Sequence, residues 1–180
     1  MTISTLFLAG ASAFAIVSAG FLMIPSQKTV QRSATSSAAP SEIFTLLSRS
    51  RGFQTFNPFR DADPKLEIEH FGPASGVGSG FSFRGREGRG TQTIVDMVID
   101  RSVTMEIDMG YMGQSVQTFT LDPADGGTQI TWSVQLQSGF NPLPRIFSLF
   151  MGNILGPKYE RGLANLENVL KGDRRLAGAN

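Results

Sequence analysis

Few side chains here are of a type that does chemistry, and they are scattered. His70 is the single histidine. It follows Leu66 and Ile68 at spacings of two, so on a strand it shares their face, and turned inward it would act as a general base or a polar anchor. Asp96 has the same parity as Ile94, and a carboxylate on an apolar face has a raised pKa that suits an acid. Each has an ordinary reading as well, because both sit near a strand end where a solvated side chain is the usual state. A catalytic histidine also needs an orienting partner, and the sequence names none. There is no cysteine, which excludes thiolate nucleophiles, disulfides and Cys-ligated metal. One histidine without carboxylates at ligand spacing makes no metal site, so neither a metal nor a cofactor is expected. No serine lies in a nucleophile elbow, and the Gly-rich stretches do not open helices after strands as phosphate loops do. The formal net charge is +1 with acids and bases interspersed, so no basic stripe marks a nucleic-acid surface. Arg84, Arg86 and Arg89 gather with Glu87 at one turn, either as a solvated loop tip or as a contact for lipid headgroups.

The elements that would position these groups follow from periodicity. From Lys65 onward apolar residues recur every second position, as on half-buried strands. Leu66 and Ile68, Phe81 and Phe83, Gln92 and Ile94, then Val103, Met105, Ile107 and Met109, Phe119 and Leu121, and finally Ile130, Trp132, Val134 and Leu136 mark successive inward faces. Glycine-, proline- and aspartate-rich turns separate them at 72–76, 85–90, 100–101 and 122–127. Hairpins without helical crossovers give an antiparallel meander, with Thr29–Ser37 as an edge strand. Ahead of the meander, Pro40 and Glu42 open a short helix whose buried face is Ile43, Phe44, Leu46 and Leu47, and Arg51-Gly52 is expected to break it. Phe53, Phe56 and Phe59, three apart, form a second short helix or turn. After Asn141-Pro142 a long amphipathic helix carries Ile146, Phe147, Phe150, Met151, Ile154, Tyr159, Leu163, Leu166 and Leu170 on one stripe, with a kink or brief break expected at Gly156-Pro157. A bent antiparallel sheet with a terminal helix across it is an α+β arrangement that can enclose a cavity. Phe53, Phe56, Leu66, Ile68, Phe81, Phe83, Ile94, Met105, Ile107, Met109, Phe119, Trp132, Phe147 and Met151 are the candidate lining residues. Periodicity alone does not separate lining from packed core, because both are apolar faces.

Residues 2–24 carry no charge. As a helix at 1.5 Å per residue they reach roughly 34 Å, enough for a hydrocarbon core of about 30 Å. Pro25 ends the stretch, and Lys28 and Arg32 follow it. A cleaved signal peptide is the rival reading, but the segment lacks a basic start, and a cut after Ser18-x-Gly20 leaves an apolar new terminus. The expected organisation is a membrane anchor at 1–27, a ligand-binding domain at 28–172 and a flexible tail at 173–180. Positive residues only after the span favour a cytoplasmic domain.

Four blocks carry a resemblance: Phe71-Gly-Pro-Ala-Ser-Gly-Val-Gly-Ser-Gly-Phe-Ser-Phe, Gly88-Arg-Gly-Thr-Gln-Thr-Ile, Gly127-Thr-Gln-Ile-Thr-Trp and Glu160-Arg-Gly-Leu-Ala-Asn-Leu. In this order they resemble the START-like polyketide cyclase/dehydrase and lipid-transport superfamily, SRPBCC, and most closely its bacterial members with one N-terminal span. The resemblance implies a helix-grip fold, in which a curved antiparallel sheet of about six or seven strands wraps a long C-terminal helix around a deep apolar cavity. It implies no shared catalytic set. Where such proteins commonly carry Trp, this chain has Phe53, Phe56 and Phe81-Ser-Phe83, which removes N–H donors and makes for a drier cavity. The expected function is membrane-anchored binding of a hydrophobic or amphipathic, lipid-like small molecule. The alternatives are a cyclase, dehydratase or hydrolase acting on an apolar carbonyl substrate, and a protein-interaction module with a collapsed cavity.

Overall fold

The computed structural model describes residues 27–110, 113–137 and 142–177. The element order is β1 (Gln27–Ser36), α1 (Pro40–Leu47), α2 (Ser50–Phe56), α3 (Pro58–Ala62), β2 (Glu67–Phe71), β3 (Gly80–Gly85), β4 (Gly88–Val98), β5 (Ser102–Asp108), β6 (Gln114–Ala124), β7 (Gly127–Gln137) and α4 (Pro142–Ala177). The strands form one curved antiparallel sheet in the order β1-β7-β6-β5-β4-β3-β2. Each strand from β2 onward pairs with the next, and β1, the expected edge strand, closes onto β7. The helix α4 packs across β1 and β7 and against α2 and α3, so the inner face of the sheet is covered by helices.

Three local features depart from the sequence expectation. The first helix ends at Leu47, and Arg51-Gly52 lies inside α2 rather than between helices. Gly52 is tolerated there because a Cβ would meet the Leu46 carbonyl oxygen at 2.1 Å: the closely stacked turn, not a chain break, accounts for the glycine. The helix α4 runs unbroken through Pro157 and past Gly172 to Ala177. The third departure is a β-bulge between Ile94 and Asp96. The extra residue shifts the alternation by one, so Ile94 is buried while Asp96 is exposed and the half-buried Met97 takes the inward place. Asp96 thus stands in solvent, the ordinary reading of its place near a strand end, and not on the inward face that its parity with Ile94 offered.

Among the described residues no helix is long and apolar enough to cross a membrane. Residues 2–24, where the sequence places a span, lie outside the described residues, as does the expected helix cap at Asn141.

Candidate ligand cavity

Reading the register across the sheet gives rows of inward residues. One row runs Phe81, Gln92, Ile107, Ser115, Leu136 and Lys28. The next runs Ile94, Met105, Gln117, Val134 and Val30. A third holds Val103, Phe119 and Trp132. The rows have different fates because the short helices cover only one end of the sheet. Phe53 and Phe56 of α2 pack edge-on against both Phe119 and Trp132, with centroids 5.9–6.4 Å apart, and fill that end. At the other end α4 and the sheet stay apart, and a cavity of about 460 Å³ lies between them.

Of the residues expected to line it, Phe53, Leu66, Ile68, Phe81, Phe83, Ile107, Met109 and Met151 do so. Phe56, Phe119 and Trp132 are buried in the solid core instead. Ile94 and Met105 face a crevice with no free volume. The four on strands share inward faces with lining residues, and α2, which carries Phe53 and Phe56 against Phe119 and Trp132, fills the space at that end. The side chain of Phe147 lies outside the described residues. Val134 and Leu136 line the cavity where Trp132, on the same face of β7, does not. From α4 come Ile154, Leu155, Lys158 and Tyr159. The apolar alternation of β7 and the stripe of α4 contained all of these except Leu155 and Lys158.

Polar groups enter at two depths. Near the floor, Gln92 and Gln117 are buried, and each donates its amide N–H to the Met105 Sδ, at 3.0 and 3.3 Å. The Trp132 indole N–H donates to Gln117 Oε1 at 3.2 Å, which fixes that amide. Gln92 Oε1 has no hydrogen-bond partner among the described residues, so one acceptor beside the cavity is uncommitted. The phenol of Tyr159 is also buried with no partner for its hydroxyl among the described residues, and burial pushes its pKa far up, so it stays a neutral donor. Gln92 shares the parity of Ile94 in the sequence, but neither it nor Gln117 had a role there: a polar residue on an inward strand position gains one only when the register is known.

At the mouth, Lys158 forms an ion pair with Glu87 of the β3–β4 turn, and its ammonium lies 5.0 Å from the centre of the Phe59 ring. Asp63 and Asn57, which also line the cavity, are committed to local backbone N–H groups: Asp63 accepts from Lys65 and Arg86, and Asn57 from Phe59. The mouth-side lining residues Glu87, Gly113, Gln114 and Ile154 are exposed, whereas Phe53, Phe81, Gln117, Val134 and Tyr159 are buried.

His70 does not reach the cavity. It pairs with Phe81 at the sheet edge, its Nδ1 lies 3.1 Å from Ser50 Oγ, and its ring stands edge-on to Phe81 at 6.2 Å. Burial, with the charges of Arg51 and Arg60, lowers its pKa. No carboxylate orients it among the described residues, so the arrangement is that of a structural histidine. Asp96, on the solvent side of the bulge, is not a lining residue either. Among the described residues no three of His, Asp and Glu gather as metal ligands would.

Residues 27–171 match the family described as polyketide cyclase / dehydrase and lipid transport. No curated protein matches the chain. Among solved structures, a point mutant of norcoclaurine synthase from Thalictrum flavum, in complex with a transition-state analogue, superposes with a TM-score of 0.62 at 14% identity, over 82% of this chain and 96% of that one. A protein of unknown function from Staphylococcus aureus gives 0.61 at 15% identity, over 83% and 96%. A Mesorhizobium loti protein gives 0.56 at 21% identity, over 80% and 97%. At these identities the likeness is one of fold.

Proposed function

Because the chain belongs to the polyketide cyclase/dehydrase and lipid-transport family, we propose that it is a membrane-tethered binding protein for a hydrophobic or amphipathic, lipid-like small molecule. The observation that carries this is the cavity of about 460 Å³ between the sheet and α4, walled by Phe53, Phe81, Phe83, Ile107, Val134 and Leu136. Its size falls in the range of roughly 300–1,000 Å³ usual for small-molecule sites. Removing apolar ligand surface from water here contributes about 25 cal/mol per Å². The uncommitted Gln92 Oε1 and Tyr159 hydroxyl offer one acceptor and one donor to a ligand with a single polar group in an otherwise apolar body. The charge-free stretch 2–24 serves as the tether, and Lys28 and Arg32 after it favour a cytoplasmic domain.

Native mass spectrometry of the full chain after mild detergent extraction tests this reading. A retained small molecule, displaced by fluorescent lipid, is the expected result. Filling the cavity with Ile107→Trp should weaken that binding at least about tenfold, or 1.4 kcal/mol. A protein that is always empty and ignores fluorescent lipids overturns it. The enzyme reading has less support, because His70 and Asp96 both stand outside the cavity. A collapsed interaction module is disfavoured by the open volume itself.

A further inference from the structure

The sheet register brings the start of β1, which follows the charge-free stretch 2–24 in sequence, to the cavity mouth. Lys28 is the strand partner of Leu136, and Leu136 lines the cavity. Ile24, the last residue of the charge-free stretch, precedes Lys28 by four positions, no more than about 14 Å of extended chain. The polar layer of a bilayer leaflet is about 5–8 Å deep, so a tether this short holds the mouth in or just above it.

The same end of the sheet carries two surfaces suited to that position. Arg84, Arg86 and Arg89 are exposed around the β3–β4 turn, beside the lining residues Gly85 and Gly88. The acid that would dilute their charge, Glu87, is paired across the mouth with Lys158. Three further acids lie at this end, Glu67 opposite Arg84, Asp63 accepting from the Arg86 N–H, and Asp108 accepting from the Gly110 N–H and the Gln114 amide, but Lys28 at the start of β1 and Lys65 just ahead of β2 offset two of them, so the arginines leave this end net positive. On α4, Phe150 and Ile154 are 57% and 42% exposed, and Ile154 itself lines the mouth. Apolar side chains next to arginines match the boundary between acyl chains and anionic headgroups.

We propose that the cavity mouth docks on the surface of an anionic bilayer, with Phe150 and Ile154 in the interface and Arg84, Arg86 and Arg89 over the headgroups, so that ligand passes directly between the cavity and that leaflet. This rests on the reading of 2–24 as a span and of the cavity as a ligand site.

The chain has no cysteine, so single labels are clean. The full chain is reconstituted in mixed phosphatidylcholine and phosphatidylglycerol vesicles, with a fluorophore on Phe150→Cys or on Ile99→Cys. Ile99 is 78% exposed at the opposite end of the sheet. Asn153→Cys, one turn-neighbour away, leaves Phe150 in place as a check. Spin-labelled lipid should quench positions 150 and 153 several-fold more than position 99. The triple variant Arg84→Glu, Arg86→Glu, Arg89→Glu should bring that quenching down to its level in phosphatidylcholine alone. Equal quenching at both ends, or no response to the triple variant, overturns docking. Vesicle flotation and ligand retention by native mass spectrometry read the tether and the cavity separately. A chain that floats and keeps its ligand but is quenched equally loses the docking alone, and one that fails to float loses the span and the docking together.

Discussion

The indole of Trp132 and the phenol of Tyr159 lie stacked, with centroids 4.2 Å apart and planes 6° from parallel. The pair joins β7 to α4 where solid core gives way to cavity. Trp132 belongs to the packed side with Phe53, Phe56 and Phe119, and Tyr159 borders the open side. The close approach is made possible by Gly162 on α4, where a Cβ would sit 2.5 Å from Trp132 Cζ3 and 3.1 Å from the Pro58 ring.

Gly162→Ala should therefore destabilise the fold by about 1–3 kcal/mol through overpacking, outweighing the gain in helix propensity. Gly152→Ala, on the same helix with nothing within 4 Å of the added Cβ, should instead stabilise by about 0.5–1 kcal/mol. Chemical denaturation of the detergent-solubilised chain distinguishes the two, and a shift of the same sign at both sites contradicts the packing described.

Tyr159→Phe keeps the stack and removes the hydroxyl. Affinity for a lipid-like ligand with a hydrogen-bond acceptor should fall by about 0.5–1.5 kcal/mol, with that for a plain hydrocarbon probe unchanged. The pH response follows from the raised pKa. In the unfolded chain a tyrosine ionises near pH 10, whereas the buried phenol keeps its proton to a higher pH. Stability is then full below about pH 10 and falls as pH rises above it. Unfolding midpoints across that range should fall less steeply in the Tyr159→Phe protein.

His70 should produce a separate acid limb. Burial foremost, and then Arg51 and Arg60, lower its pKa from 6.5. The unfolded chain takes up the proton first as pH falls, so the contribution is full above about pH 6.5 and is lost below it. In His70→Asn this limb should flatten. Asp61, held below its usual 3.8 by hydrogen bonds from Asn165 and Arg161, adds a second limb that disappears only at lower pH. A single transition unaffected by either residue would refute the assignment.

The Lys158–Glu87 pair spans the mouth between α4 and the β3–β4 turn. A partly exposed pair of this kind contributes about 0.5–1 kcal/mol, so its loss changes a rate by about two- to fivefold. Glu87→Gln should raise both the entry and the exit rate of a fluorescent ligand by about that factor and leave affinity nearly constant. Stopped-flow exchange in detergent reads this directly. A change in affinity with one rate untouched would mean that Glu87 contacts the ligand rather than closing its route.

Most of the architecture was legible because alternation on β5 and β7 and the stripe on α4 are unambiguous physical signals. Asp96 stood between two readings, inward by parity or solvated near a strand end, and only the bulge, seen in the pairing of Ile94 with Met105 and of Asp96 with Thr104, decides for the second. Trp132 and Val134 are equivalent to any period-two reading, yet one is core and the other wall. That difference is set by α2, whose placement depends on contacts remote in sequence. Gln92 and Gln117 acquire meaning only from their shared partner, Met105. Lys158 gains its role from Glu87, 71 positions away.

The closure of β1 onto β7 has a consequence for biosynthesis. Gln27 pairs with Gln137, a separation of 137 − 27 = 110 residues. At roughly 5–20 residues per second, about 6–22 s of translation elapse before the first strand can meet β7. Through that interval β1 waits with a bare backbone edge, and the domain completes itself only once nearly all of it has left the ribosome.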